Sequence, residues 1–443
     1  MKSLLNSIYL STFLVLLVAQ MPVAAQQADK VVVTVKTERD HAIYKKDEEV
    51  TFLIEVKDDK GKALDWGKVN VVISEDRYRT IQSFPLDVRG KVLKVVSQLS
   101  RPGFLQCEVQ FDAGDRKIKN KLKPSLAAAA IDPLQITPSR EIPTDFSAFW
   151  DSQRQLLAEI PIEAKMSKVA KHSDKALELF DVQLASLGDA PVSGYFSRPV
   201  GAKAKSLPII LWVHGAGVRS SSVKKYPGFL SMDINAHGIP NGKPKAYYDQ
   251  LYGKDGRLKG YPLFGRENRD AVYFKNMFLR MIRAIDFLTA QPEWDGKTVA
   301  VIGHSQGGYQ ALVAGGLDDR VTFIGAGVPA GCDHTGMLRK RISGWPKLVP
   351  MQKDGKPDAV IAENARYYDA VNFASRYHGE AILSVGFIDR TCPPTSVYAA
   401  YNVLKGKKSI INKPAMGHAA PAPVSKAFYE ALKSHIAQLK TEK

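Results

Sequence analysis

The sequence predicts an α/β fold with a mostly parallel sheet, preceded by a small all-β sandwich of immunoglobulin-like type. Three observations lead there. From about Gln26 to Ser125, short β-branched or alternating runs recur between turn signals. From Thr144 onward, apolar runs of strand length alternate with stretches of helical periodicity. Between the two parts, residues 126–143 carry Pro133, Pro138 and Pro143 and read as a linker.

The chain begins with what reads as an export signal, residues 1–25. Lys2 supplies a positive start, an apolar run follows from about Ile8 to Ala19, and Val23-Ala24-Ala25 offers small residues for cleavage after Ala25. The run is too short to span a bilayer, and no later run of about twenty apolar residues follows. The expectation is export to the periplasm or beyond, without stable membrane insertion. No cysteine follows the small residues, so no lipid anchor is expected.

In residues 26–125 the expected strands are Val31–Val35, Val50–Val56, Val69–Ile73, Val92–Leu99 and Phe104–Phe111. Asp59-Lys60-Gly61, Arg89-Gly90, Pro102-Gly103 and Ala113-Gly114-Asp115 separate them. No catalytic constellation is visible there; carbohydrate binding, spacing and a purely structural role are the alternatives. In residues 144–443, Thr144 reads as the N-cap of a helix that opens at Asp145-Phe146 and runs to about Glu159. Leu207–Val213, Thr298–Ile302, Val321–Val328, Ala381–Phe387 and Ser409–Ile411 read as strands. Tyr273–Ala290, Tyr309–Leu317 and Lys426–Lys440 read as helices. Such alternation implies a parallel sheet covered on both faces.

The formal charge is +17, and its basic residues are scattered with no nucleic-acid motif beside them. No nucleic-acid partner is expected. A solvated basic surface and attraction to an acidic polysaccharide or cell surface are the two readings. A homo-oligomer is compatible with the sequence. Three cysteines make no disulfide framework. Cys107 stands alone; Cys332 and Cys392 each follow an expected strand and either pair or remain buried thiols.

Gly303-His304-Ser305-Gln306-Gly307 matches the Gly-x-Ser-x-Gly elbow, in which a serine occupies a strained turn between strand and helix. The pattern alone arises by chance in roughly one chain in seven of this length, so its context decides. Val299-Ala300-Val301-Ile302 precedes it as a buried strand, and a small-residue helix follows. An activated serine needs a base, and the base an orienting acid. In α/β-hydrolases the chain order is Ser, acid, His. Asp389 stands at the end of the strand Ile382–Ile388, where such a sheet presents its site. Its rival Asp369 precedes a strand and reads better as a helix cap. Of the two later histidines, His418 lies in a loop, whereas His435 falls within the last helix. The oxyanion donors are expected to be the backbone N–H groups of Gln306 and of Ala216, the latter in the loop His214-Gly215-Ala216-Gly217.

At these residues the chain resembles the acetyl xylan esterase and cephalosporin-C deacetylase family, carbohydrate esterase family seven. The matching pieces are Gly303-x-Ser305-Gln306-Gly307-Gly308 and Asp389-x-x-Cys392-Pro393-Pro394 with Tyr398–Asn402. Gly417-His418, Arg283–Leu288 with Pro292–Asp295, and Asp145-Phe146-x-x-Phe149-Trp150 match as well. The resemblance covers roughly the last 300 residues in order. It implies an α/β-hydrolase fold, the triad Ser305, Asp389 and His418, and removal of acetyl groups from sugars without metal or organic cofactor. The sequence departs from the family at two points. Asn235-Ala236-His237-Gly238 stands where the family has Arg-Gly-Gln, and Ala419 follows the histidine in place of glutamate. The rival functions are hydrolysis of another acyl ester or of peptides, and an exported carbohydrate-binding protein with an inactive hydrolase domain. The insert from about Arg219 to Arg269 carries Tyr226, Tyr247, Tyr248, Tyr252 and Tyr261, which either stack on sugars or pack.

Overall fold

A computed structural model of the 443-residue chain describes residues 30–441. The expected export signal lies outside the described residues.

The first part has eight strands: β1 (Val31–Thr37), β2 (Ile43–Tyr44), β3 (Val50–Asp58), β4 (Lys68–Glu75), β5 (Arg79–Asp87), β6 (Leu93–Ser97), β7 (Gly103–Asp112) and β8 (Ser125–Ile131). They form a three-stranded sheet, β1-β3-β6, facing a five-stranded one, β2-β8-β7-β4-β5. Strand alternation builds the core between them: Val50, Phe52, Ile54 and Val56 of β3 meet Val69, Val71 and Ile73 of β4. The polar β5 escapes the sequence reading; its Pro85 sits on an edge strand, where a missing N–H is tolerated.

The expected linker is corrected at its start. Residues 126–131 belong to β8, whose four alanines give no β-branched signal. Packing makes them a strand. Ala127, Ala129 and Ile131 face the sandwich core, while Ala128 and Ala130 join the core of the second part. β7 splits the same way: Leu105 and Cys107 turn inward, whereas Phe104 meets Phe387 edge-on at 5.1 Å and Tyr398 at 5.9 Å. The rest of the linker is tied down. Asn402 Nδ2 donates to the carbonyls of Pro133 and Ile136, at 2.9 and 2.8 Å, and Ser139 N–H donates to Asp333 at 2.8 Å.

The second part adds β9 (Lys165–Lys168), β10 (Leu177–Leu184), β11 (Val192–Pro199), β12 (Leu207–Val213), β13 (Leu230–Ile234), β14 (Trp294–His304), β15 (Phe323–Gly327), β16 (Glu380–Gly386) and β17 (Lys408–Lys413). The sheet order is β17-β16-β15-β14-β12-β13-β11-β10-β9. Six strands, β12 to β17, run parallel; β11, β10 and β9 extend one side by antiparallel pairing.

The helices are α1 (Phe146–Ala158), α2 (Lys245–Tyr252), α3 (Tyr273–Thr289), α4 (Gln306–Leu317), α5 (Ala359–Ala365), α6 (Ala370–Ala374), α7 (Pro394–Val403) and α8 (Ala422–Thr441). Side chains of α1, α3, α4, α6 and α7 bury one face of the sheet together with Ile209, Leu211 and Val213. Val424, Phe428 and Leu432 of α8 cover the other face against Ile210, Ile302 and Phe323. Thr144 is not the cap of α1, which starts after Asp145. The Asp145 carboxylate instead accepts from Tyr367 Oη and from Arg269 at 3.0 Å, so it makes no cap bond.

Phe104 is fully buried in the contact between the two parts. Phe104→Ala is expected to cost about 3–5 kcal/mol of stability, read by denaturant unfolding; a loss below about 1 kcal/mol would mean that the contact is dispensable.

Candidate active site

β14 ends at His304, and Ser305 caps α4 with φ 58° and ψ −120°. A non-glycine residue there is strained, and its neighbours explain why the strain is held. A Cβ on Gly307 would lie 2.1 Å from the carbonyl oxygen of Val213, and one on Gly303 would lie 2.4 Å from the same atom. Only glycines let α4 approach β12 this closely. Ser305 N–H donates to Gly327 O at 2.8 Å, and Ser305 O accepts from Ala330 N–H at 3.1 Å, which fixes the turn to β15.

Asp389 lies three residues past the end of β16 and is fully buried. Its Oδ1 accepts the N–H groups of Thr391 and Cys392 at 2.7 and 2.9 Å. Pro393 and Pro394, which have no N–H to satisfy, then open α7. The Asp-x-x-Cys-Pro-Pro element is thus a turn that closes on its own carboxylate. Oδ2 remains for His418, 2.8 Å from Nδ1. Gly386 lets the histidine loop come near, since a Cβ there would lie 2.3 Å from Met416 O.

His418 Nε2 is 2.9 Å from Ser305 Oγ. A carboxylate only accepts, so Nδ1 donates and Nε2 accepts from the serine hydroxyl, the tautomer a general base needs. The structure therefore brings together Ser305, Asp389 and His418. The rivals lie elsewhere. Asp369 caps α6 and accepts from the N–H groups of Asp333 and His334 at 2.9 and 2.7 Å. Burial pushes its carboxyl up to about 7. His435 is buried in α8 between Glu380 and Thr322.

All three cysteines are buried free thiols, so Cys332 and Cys392 do not pair. Donor atoms of Asp389, Cys392 and His418 fall within 4.8 Å of one another. Burial, with the Asp389 charge beside it, pushes the Cys392 thiol well up. A protonated thiol is a poor metal ligand, and the other two groups are engaged with each other.

The loop 214–217 follows β12 and is clamped by two histidines whose roles the sequence did not reveal. Burial pushes His214 down to about 4 and, with His214 and Arg280 nearby, His237 down to about 3. Both rings are neutral, and their partners fix their tautomers. His214 Nδ1 donates to Gly215 O at 2.7 Å, and its Nε2 accepts from Ala236 N–H at 3.3 Å. His237 Nε2 donates to Gly217 O at 3.2 Å, and its Nδ1 accepts from Tyr273 Oη at 2.7 Å. In a trans peptide the carbonyl and the next N–H point opposite ways, so the grip on Gly215 O orients the Ala216 N–H. Neither Ala216 N–H nor Gln306 N–H donates to another protein group among the described residues. The Asn235-Ala236-His237-Gly238 stretch is therefore the brace of this loop. The only signal for it was a histidine in each of two loops.

The insert tyrosines mostly pack. Tyr226 stacks on Trp212 at 5.2 Å, Tyr248 is buried, and buried Tyr261 donates to Gln306 Oε1 at 2.6 Å; Tyr252 is exposed.

The sequence pattern described as acetyl xylan esterase (AXE1) matches residues 129–434. An acetyl esterase, Axe7A, of Xylanibacter ruminicola is 30% identical over 335 residues, covering 74% of each chain. An acetyl xylan esterase structure from Paenibacillus sp. R4 is 26% identical with a TM-score of 0.57, covering 68% of this chain and 98% of its own. One from Thermoanaerobacterium sp. shares the fold at 20% identity and a TM-score of 0.57, covering 68% of this chain and 97% of its own. The family match begins within β8, so the β-sandwich lies almost wholly outside it.

A buried imidazole held near 3 stabilises the fold fully above its unfolded value of about 6.5, and that contribution is lost as pH falls. His237→Gln is therefore expected to destabilise most near neutrality. The deficit should shrink by about 2 kcal/mol at pH 5. Unfolding of both proteins at the two pH values checks this, and a deficit that does not shrink would refute a neutral His237.

Proposed function

The chain belongs to the acetyl xylan esterase family, and from that membership we propose that it removes acetyl groups from xylan or xylo-oligosaccharides through Ser305, His418 and Asp389, and from the signal-like sequence of residues 1–25 that it is exported. It is a carboxylester hydrolase. The observation that carries the assignment of residues is the unbroken relay from Asp389 Oδ2 through His418 to Ser305 Oγ, at 2.8 and 2.9 Å.

In the first step Ser305 Oγ attacks the acetyl carbonyl while its proton passes to His418 Nε2. The carbonyl oxygen becomes an oxyanion, for which the N–H groups of Ala216 and Gln306 are the donors. Gln306 is the first residue of α4, so the positive end of the helix dipole adds to its N–H. Collapse of the intermediate breaks the ester C–O bond, and the imidazolium returns the proton to the departing sugar oxygen. Water then attacks the acetyl-serine, His418 takes its proton, and acetate leaves as Ser305 is regenerated. Asp389 keeps Nδ1 protonated and stabilises the transient imidazolium. Its burial is tolerated because two backbone N–H groups and the imidazole N–H satisfy it.

Ser305→Ala is expected to lower kcat on 4-nitrophenyl acetate by on the order of a million-fold with unfolding unchanged; retained turnover would end the assignment. Acetate release should be measured on acetylated xylan, xylo-oligosaccharides, pectin and cephalosporin C, with butyryl and feruloyl esters as controls. A xylan-derived substrate is expected to lead the series, and a preference for feruloyl esters would redirect the reading.

A further inference from the structure

The β4–β5 turn, closed by Tyr78 N–H donating to Glu75 O at 2.9 Å, carries two residues other than glycine at its centre. Asp76 and Arg77 both have left-handed backbone, at φ 46° and 54°, in a tight turn that favours Asn-Gly. Asp76 is nearly fully buried against the other part of the chain, accepting from Thr395 Oγ1 and from Ile342 N–H at 3.2 Å. So pinned, the turn presents Arg77 and the exposed Tyr78 to a cleft of about 470 Å³, a size typical of small-molecule sites.

Arg341, Lys347 and Arg390 complete its charged lining, and no carboxylate lines it among the described residues. Arg390 pairs with Glu108 at 2.6 Å, and Arg341 with Asp333 at 3.2 Å. Arg77 and Lys347 have no carboxylate partner among the described residues. Lys347, like Arg77, sits on left-handed backbone, with φ 57°. Burial, and then the neighbouring Arg390, hold the Arg77 guanidinium below its ordinary range, against the opposing pull of Glu108 and Asp76. Burial raises the Asp76 carboxyl to about 7, and Glu108, the other carboxylate acting on Arg77, is paired with Arg390.

The cleft adjoins the catalytic loop. Arg390 directly follows Asp389, and Trp345 N–H donates to Thr391 O at 2.7 Å, tying the cleft wall to the turn that holds the acid. Tyr78 and the exposed Met351 offer apolar surface for the C–H face of a sugar ring.

We propose that this cleft is a subsite for a carboxylate-bearing sugar, a uronic acid unit of the acetylated glycan, held by Arg77 and Lys347. This rests on the deacetylase reading and extends it. The β-sandwich then contributes directly to substrate choice, and the +17 charge favours the approach of an acidic polymer.

The test compares the full chain with the double variant R77Q/K347Q on three acetylated substrates: neutral xylo-oligosaccharides, glucuronic-acid-branched xylo-oligosaccharides and oligogalacturonides. The two acidic arms separate a uronate branch from a uronate backbone. On at least one of them kcat/KM is expected to fall about tenfold, mainly through KM. Turnover of the neutral oligosaccharide and of 4-nitrophenyl acetate should stay unchanged. The wild-type preference for the acidic substrate should shrink in about 0.5 M NaCl. Equal losses on neutral and acidic substrates, or no loss on either acidic one, would overturn the subsite while leaving the deacetylase intact. No acetate from any glycan with the wild type would instead overturn the deacetylase reading, and the subsite with it.

Discussion

The approach of α4 to β12 is the constraint on which the candidate active site depends. At Gly303 and Gly307 a single added carbon would run into the carbonyl of Val213, at 2.4 and 2.1 Å. Gly308 is pressed in the same way against Gly327 O, at 2.9 Å. These contacts hold Ser305 in a backbone conformation it would not choose alone and lift its hydroxyl to His418. The elbow is also what sets the Gln306 N–H at the free start of a helix. The Ser305 hydroxyl and the Gln306 N–H are thus placed by one packing event.

Asp389 and His418 are placed by a second close approach. Gly386 admits the Met416-Gly417 backbone to the end of β16, so two loops that are 29 residues apart meet. Asp389 is spared from the cost of burial by its own turn, which returns two N–H groups to it. Below that turn lies Phe387, and against Phe387 lies Phe104 of the β-sandwich. The sandwich is therefore part of the support for the acid loop as well as a wall of the charged cleft beside it.

The loop after β12 shows how buried histidines brace a main-chain turn. Asn235-Ala236-His237-Gly238 holds the loop after β12 through His237 Nε2, which donates to Gly217 O, and through Ala236 N–H, which donates to His214 Nε2, while His214 Nδ1 grips Gly215 O within the loop. Arg280 anchors the brace in turn by donating to Ala236 O at 2.8 Å. Such a brace works only if both rings stay uncharged, since protonated His214 could no longer accept from Ala236 N–H. Burial supplies that condition.

Much of this was legible in the sequence, because it follows from local patterns. Apolar alternation in β3 and β4, the apolar run of β12, the periodicity of α3 and the Gly-x-Ser-x-Gly elbow each carry their structure in the identity and spacing of neighbouring residues. The candidates Ser305, Asp389 and His418 were readable for a different reason, the chain order that α/β-hydrolases share. Other features exist only once distant segments meet. The alanines of β8 become a strand because two cores need small residues on both faces of one strand. Asp145 gives up a helix cap for Tyr367 and Arg269, and His214 and His237 become braces because burial removes their charge. Local propensity writes the elements and the serine elbow into the chain, while close packing of remote backbone decides registers, charge states and which side chains share a cleft.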